Sequence, residues 1–246
     1  MSRFSLLKKY LPLAEAVSIY RKIKSKKQEG FKVSRLRHPF SMRNNAYDFA
    51  TFEEVILRET YNVQIDFTPR YIIDGGGNIG LTAAYFATRF PEASIITLEP
   101  DRENFSLLQK NTSLYKNIIP VNSGLWWRSA DLIVKDTGLG NNGFVVEEVE
   151  KNTVGSVPAL SIADIMLQQG WNHIDLVKLD VEGSEKEIFS SGYQNWLPKT
   201  RVLIVEVHDR MKKGCSKSLL NAVNSFNFSL EIAGENLVFR NEELPS

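Results

Sequence analysis

Apolar residues along the chain fall into short blocks that alternate between two periodicities. Tyr71-Ile72-Ile73, Ser94 to Leu98, Ile118 to Asn122, Ile174 to Leu179 and Arg201 to His208 are brief, β-branched-rich runs. Such runs suit strands buried on both faces. Between them the apolar positions recur at helical spacing: Ala83, Ala84, Phe86 and Ala87, then Asp101 to about Asn111, Ser161 to Gly170, and Ser216 to Phe226. Alternating strands and helices predict an α/β fold around a mostly parallel sheet. Phe228 to Ile232 and Leu237 to Arg240, joined through Gly234, predict a closing hairpin. A final antiparallel pair fits a seven-stranded sheet better than the six-stranded dinucleotide-binding arrangement.

Turn and cap signals refine this outline. Asp101 is placed to cap one helix, and Ser161 with Asp164 another, which Gly170 would end. Ser184-x-x-Glu187 reads as a capping box. A helix is predicted over Ala50 to Tyr61; the polar run Arg43 to Asp48 before it reads either as a lid or as a solvated, capping loop. Leu132 to Lys135 and Phe144 to Val149, around the glycine- and asparagine-rich turn from Gly138 to Gly143, predict an inserted hairpin near 126–149. Trp126 and Trp127 would stack on an acceptor or pack the hairpin onto the body, and packing is preferred for at least one of them.

Composition narrows the class. The 246 residues suffice for one α/β domain with an extension. A net charge of +1 argues against a nucleic-acid binder. The single cysteine, Cys215, excludes an internal disulfide and a cysteine-built zinc site. No apolar run approaches the ~20 residues that span a bilayer. Lys8, Lys9 and Glu15 interrupt the first apolar stretch, which argues against a cleaved signal peptide, so a cytoplasmic protein is expected. Up to Arg43 the only acids are Glu15 and Glu29. Residues 1–39 are therefore read as a basic, helical N-terminal extension to a domain at 40–246. Residues 1–30 would touch an anionic membrane surface weakly or, the preferred reading, pack on the domain or on a twin in a homodimer.

The candidate chemistry clusters at strand ends. Gly75-x-Gly77-x-x-Gly80 follows a strand and opens a helix, which makes a nucleotide-binding turn at Gly75, Gly76, Gly77, Asn78 and Gly80. Asp74, just before it, would point a carboxylate into the crevice, repelling a pyrophosphate and attracting the cationic S-adenosylmethionine. Glu99, nineteen positions after Gly80, is placed to accept hydrogen bonds from ribose hydroxyls. By strand alternation Lys178 shares a face with Asp180, and Glu206 with His208. Lys178 is expected beside Glu206 or Asp180. His208, largely neutral near pH 7, is the expected base, Glu206 its orienting partner, and Asp180 a ligand for the methionine ammonium or the acceptor. Asp180, Glu182, Glu206 and His208 also make an oxygen-rich set for Mg²⁺, ranked second to a metal-free site.

Taken in order, Ile73 to Gly80, Leu98-Glu99-Pro100-Asp101 with Asn104-Phe105, Lys178 to Glu185, and Glu206-Val207-His208 resemble the motifs of the FkbM family of S-adenosylmethionine-dependent methyltransferases. The resemblance covers about Phe40 to Arg240, with Arg43 to Asp48 similar to the family's entry motif, and departs at Gly76, where the family often has Ala. It implies a class I methyltransferase (Rossmann-like) fold, sheet order 3-2-1-4-5-7-6 with the seventh strand antiparallel. It also implies O-methylation, commonly of a sugar or natural-product hydroxyl. Two alternatives stand beside it: an NAD(P)-dependent oxidoreductase, suggested by the glycine spacing and Glu99, and a catalytically silent cofactor-binding scaffold.

Overall fold

The computed structural model describes residues 2–136 and 144–244. Its centre is a seven-stranded sheet built from β1 (Tyr71–Gly75), β2 (Ser94–Leu98), β3 (Ile118–Val121), β8 (Ile174–Leu179), β9 (Thr200–Glu206), β10 (Phe228–Ala233) and β11 (Asn236–Asn241). These strands lie in the order β10-β11-β9-β8-β1-β2-β3. Numbered among themselves along the chain, they read 3-2-1-4-5-7-6, and the seventh, β11, runs antiparallel to both neighbours. The architecture is that of the class I methyltransferases, as the family resemblance implies; the α/β alternation and the closing hairpin are where the pattern predicts them.

Helices cover the sheet where their spacing predicts. These are α4 (Leu81–Arg89), α5 (Arg102–Thr112), α6 (Ile162–Gln169), the short α7 (Glu185–Ile188) and α8 (Cys215–Val223). Asp101 caps α5 by accepting from the Asn104 N–H, and Ser161 with Asp164 completes a capping box on α6, which ends at left-handed Gly170. The capping box predicted at Ser184 is not formed. Ser184 already has helical dihedrals and makes no cap bond, and Glu187 is paired with Lys212 at 2.8 Å.

A second, four-stranded sheet in the order β4-β7-β5-β6 contains the inserted hairpin, β5 (Ala130–Asp136) and β6 (Phe144–Val149). Two strands absent from the sequence reading, β4 (Gly124–Leu125) and β7 (Val157–Leu160), join it to the main body. The predicted turn at Gly138 to Gly143 lies outside the described residues. Trp126 is buried and donates its indole N–H to Glu148 at 2.9 Å, so it packs this sheet.

The chain opens with α1 (Arg3–Tyr10) and α2 (Leu13–Lys24). Their apolar face turns inward: Leu7, Ala16 and Ile19 are fully buried in the same core as Phe52, Ile72 and Phe86. No helix among the described residues is long and apolar enough to cross a membrane. The next helix, α3 (Ala46–Phe52), starts four residues earlier than predicted because Asn45 caps it. It runs into a π-helical turn, Glu53–Leu57, instead of continuing to Tyr61. The polar run before it supplies that cap and leaves Asn44 and Tyr47 exposed, as a capping loop would, but it is also fastened. Arg43 pairs with buried Asp48 at 2.8 Å and donates to Asn104 at the start of α5 at 2.6 Å.

Candidate active site

Three strand ends converge on the glycine turn. The N–H groups of Gly76 and Gly77 donate to the Leu98 carbonyl of β2, and the Asp180 N–H beyond β8 donates to the Gly75 carbonyl. Gly76 has φ +78°, and a Cβ there would lie 1.8 Å from the Asp180 carbonyl oxygen. A Cβ on Gly77 would lie 2.2 Å from the Thr97 hydroxyl. Of Gly75, Gly76, Gly77, Asn78 and Gly80, the turn expected to meet the ligand, Gly76 and Asn78 line the clefts, while the bare faces of Gly75, Gly77 and Gly80 meet Leu179, Thr97 and Leu108 of the chain itself. The glycines thus let the chain approach itself closely, which is the other use of a missing side chain.

Asp74 also departs from expectation. It does not face the crevice: it is fully buried, accepts from the Thr97 hydroxyl at 2.8 Å, and lies 3.4 Å from the Lys178 ammonium. The sheet register is the cause, because Thr97 and Lys178 are its direct partners on the two neighbouring strands. A buried carboxylate without such a cation would be strongly unfavourable. Lys178 donates to the Gly76 carbonyl at 2.9 Å and lies 3.7 Å from Asp180, so it ties β1, the glycine turn and the end of β8 together. Burial alone would lower the Lys178 pKa, but Asp74, Asp180 and Glu54 outweigh it and hold the ammonium above its usual value.

Two clefts open at this junction, each with about 580 Å³ of empty space, solvent at the mouth included. The first is walled by Gly76, Leu98, Glu99, Pro100, Asn104, Leu125 and Val146. Glu99 accepts the Asn78 N–H at 2.8 Å and the Asp101 N–H at 2.9 Å, and burial pushes its pKa up to about 8 against those bonds. Asn104, Leu125 and Val146 were not anticipated as lining residues; the last two come from the second sheet. The second cleft is walled by Thr51, Glu54, Tyr61, Thr82, Lys178 and Glu206. Its acid Glu54 comes from the π-helical turn, and Tyr61 donates to it at 3.2 Å.

Gly76, Asn78, Asp180 and Glu182 line both clefts. Asn78 and Glu182 have φ of 47° and 50°. Left-handed backbone at non-glycine residues is strained by about 1–3 kcal/mol and gathers at functional sites. Two of the five such residues among those described lie on this shared wall; the others, Lys26, Glu59 and Asn152, line neither cleft.

His208 stands at the acidic end. β9 stops at Glu206, and the His208 carbonyl begins a turn by accepting from Met211 and Lys212. Its Nδ1 is 2.8 Å from Glu185 Oε1; its Nε2 is 3.4 Å from Glu206, 3.4 Å from Glu182 and 3.6 Å from Asp180. Burial opposes charge on the ring, but the hydrogen bonds to Glu185 and Glu206 and the surrounding carboxylates raise its pKa to about 11. These carboxylates favour the imidazolium over the largely neutral ring that the sequence predicts. The same crowding acts on the acids. Burial and then Asp180 push Glu54 up to about 7 and Glu182 up to about 8. Neither Glu54 nor Glu185 was singled out from sequence for this site.

The donor set also bears on metal binding. Ligand atoms of Asp180, Glu182 and His208 lie within 4.8 Å of one another, as do those of Glu54, Asp180 and Glu206. An oxygen-rich set of this kind fits a hard divalent cation. Lys178 and His208 already lie against the same carboxylates and would compete with such an ion.

A sheet of this order, with a glycine turn after its first strand and two clefts meeting at the carboxyl ends of β1 and β8, defines a class I methyltransferase. The Methyltransferase FkbM domain model matches residues 74–236, more than half of the chain, and the chain belongs to that family. Methyltransferase sdnD of Sordaria araneosa is 24% identical over 188 residues, covering 63% of this chain and 73% of its own length. Methyltransferase 1 of Beauveria bassiana is 26% identical over 159 residues, covering 55% of this chain and 64% of its own. The crystal structure of methyltransferase FkbM from Methylobacillus flagellatus aligns with 97% of this chain and 58% of its own, at 13% identity and a TM-score of 0.49.

Proposed function

We propose that this methyltransferase uses S-adenosylmethionine and methylates a hydroxyl of a sugar, glycan or small natural product. The wall shared by the two clefts carries this reading. The adenosine would occupy the first cleft, with its ribose hydroxyls on Glu99. The sulfonium and the methionine ammonium would reach the shared wall at Asp180, where the carboxylates begin. The acceptor would enter the second cleft. Glu54, Glu182 and Glu206 there can exchange hydrogen bonds with hydroxyl groups, which favours a neutral polyol.

When bound, S-adenosylmethionine would supply its methyl group to the acceptor oxygen, the S–CH₃ electron pair staying on sulfur, and the hydroxyl proton would leave to a base of this chain. His208 Nε2 takes that proton in this reading. A cation bound beside Asp180 competes for the carboxylates that hold the imidazolium, which lowers its pKa and frees Nε2. Alignment of methyl and hydroxyl supplies much of the remaining acceleration. The site works without a metal, location is cytoplasmic, and nucleic acid is not the acceptor, in keeping with a net charge of +1.

Incubation with isotopically labelled S-adenosylmethionine and a fractionated cell extract, followed by mass analysis, tests the reading. Label on an oxygen of one metabolite, lost with His208→Ala, is the expected result. Cofactor binding with no labelled product in any fraction would support the silent-scaffold reading instead.

A further inference from the structure

We infer that Glu185, and not Glu206, is the positioning residue for His208. The inference rests on the reading of His208 as the proton acceptor and adds what presents its reactive nitrogen. The imidazole has two unlike sides. Nδ1 faces the protein interior, 2.8 Å from Glu185, which is fully buried and lines neither cleft. Nε2 points instead toward Asp180, Glu182 and Glu206, at 3.4 Å or more; these three line the second cleft, while the ring itself lines neither and stands directly behind them.

Glu185 is itself held. Its Oε1 accepts the Gly183 N–H at 3.3 Å, and its place at the start of α7 fixes where the carboxylate can lie. A carboxylate so placed accepts from Nδ1–H and keeps a proton there in both charge states of the ring. The mobile proton is then confined to Nε2, and in transfer the acceptor O–H bond breaks as Nε2–H forms. Orientation of a base by a buried carboxylate on its far nitrogen sets which tautomer is offered to the substrate. Glu206, on the cleft side, competes with the acceptor for Nε2 and cannot perform that task.

The test compares Glu185→Gln, Glu185→Asp and Glu206→Gln in the full chain by ¹⁵N spectroscopy of the imidazoles, with the His208 signals assigned by their loss in His208→Asn. The wild type should show a protonated, slowly exchanging Nδ1. That signal should survive Glu206→Gln, be lost or moved in Glu185→Gln, and return in part in Glu185→Asp. S-adenosylmethionine affinity should change less than threefold in Glu185→Gln, while methyl transfer to the acceptor fraction falls about 10- to 100-fold, the usual loss for an orienting partner. A bare Nδ1 in the wild type, or loss of its proton in Glu206→Gln alone, overturns the inference. The comparison of Glu206→Gln with Glu185→Asp decides even if Glu185→Gln does not fold. It needs neither cofactor nor acceptor, so it also decides if no methyl transfer is ever found.

Discussion

The two clefts that meet at Asp180 are built by different means. The first is made mostly of backbone: a glycine turn, two N–H groups held by Glu99, and apolar walls from both sheets. The second is made of charge: Glu54, Asp180, Glu182 and Glu206 set against Lys178 and His208. The first, whose own acid is Glu99, fails when its geometry is disturbed. A charged site tolerates small displacements and fails when its protonation changes. The difference teaches where to look for each kind of failure.

Disturbing the backbone should have the largest effect. Gly76→Ala adds a Cβ that collides with the Asp180 carbonyl and cannot easily keep φ +78°. We expect cofactor binding to be lost and stability to fall by ~2 kcal/mol or more, checked by calorimetric titration and chemical denaturation. The resemblance to sequences with Ala at this position makes the substitution informative: intact binding would show that the turn relaxes. Next comes His208→Ala, which should leave cofactor affinity within a few-fold and depress turnover by roughly two to four orders of magnitude. Smaller still is Glu99→Gln, which removes a carboxyl acceptor for ribose hydroxyls. Affinity for S-adenosylmethionine should fall about 2- to 10-fold in a direct titration, the range for an ordinary hydrogen bond.

The gentlest probe is pH. His208, raised to about 11, stabilises the fold fully below the ordinary imidazole value of about 6.5 and loses that contribution as pH climbs through 11. Glu54 and Glu182, raised to about 7 and about 8, are favoured in their neutral forms, so their ionisation through those values also lowers stability. All three carry one sign. The melting temperature should fall between about pH 5 and 9, and bound S-adenosylmethionine should flatten the fall. A melting temperature that rises over this range would contradict the electrostatic picture of the second cleft.

Much of the first cleft is legible in the sequence, and much of the second is not. Short apolar runs and caps locate the strands of the large sheet, and hence the glycine turn and Glu99, because these signals are local. Asp74 was misplaced because its role depends on parallel register: Thr97 and Lys178 lie opposite it, and a single sequence does not reveal which residues of distant strands are paired. Glu185 was hidden for a related reason. Its place after Gly183 suggests a helix start, whereas its partner His208 is brought to it by the packing of α7 against the turn after β9. Glu54 enters its cleft through a π-helical turn that the helical periodicity of its neighbours does not announce. Strands β4 and β7, at two and four residues, are too short to show a pattern.

Calorimetric titration of the purified protein with S-adenosylmethionine, S-adenosylhomocysteine and NAD(P)⁺ tests the central claim most directly. The account predicts one S-adenosylmethionine site per chain, occupied also by S-adenosylhomocysteine, with no heat from NAD(P)⁺. Binding of NAD(P)⁺ without S-adenosylmethionine would contradict it.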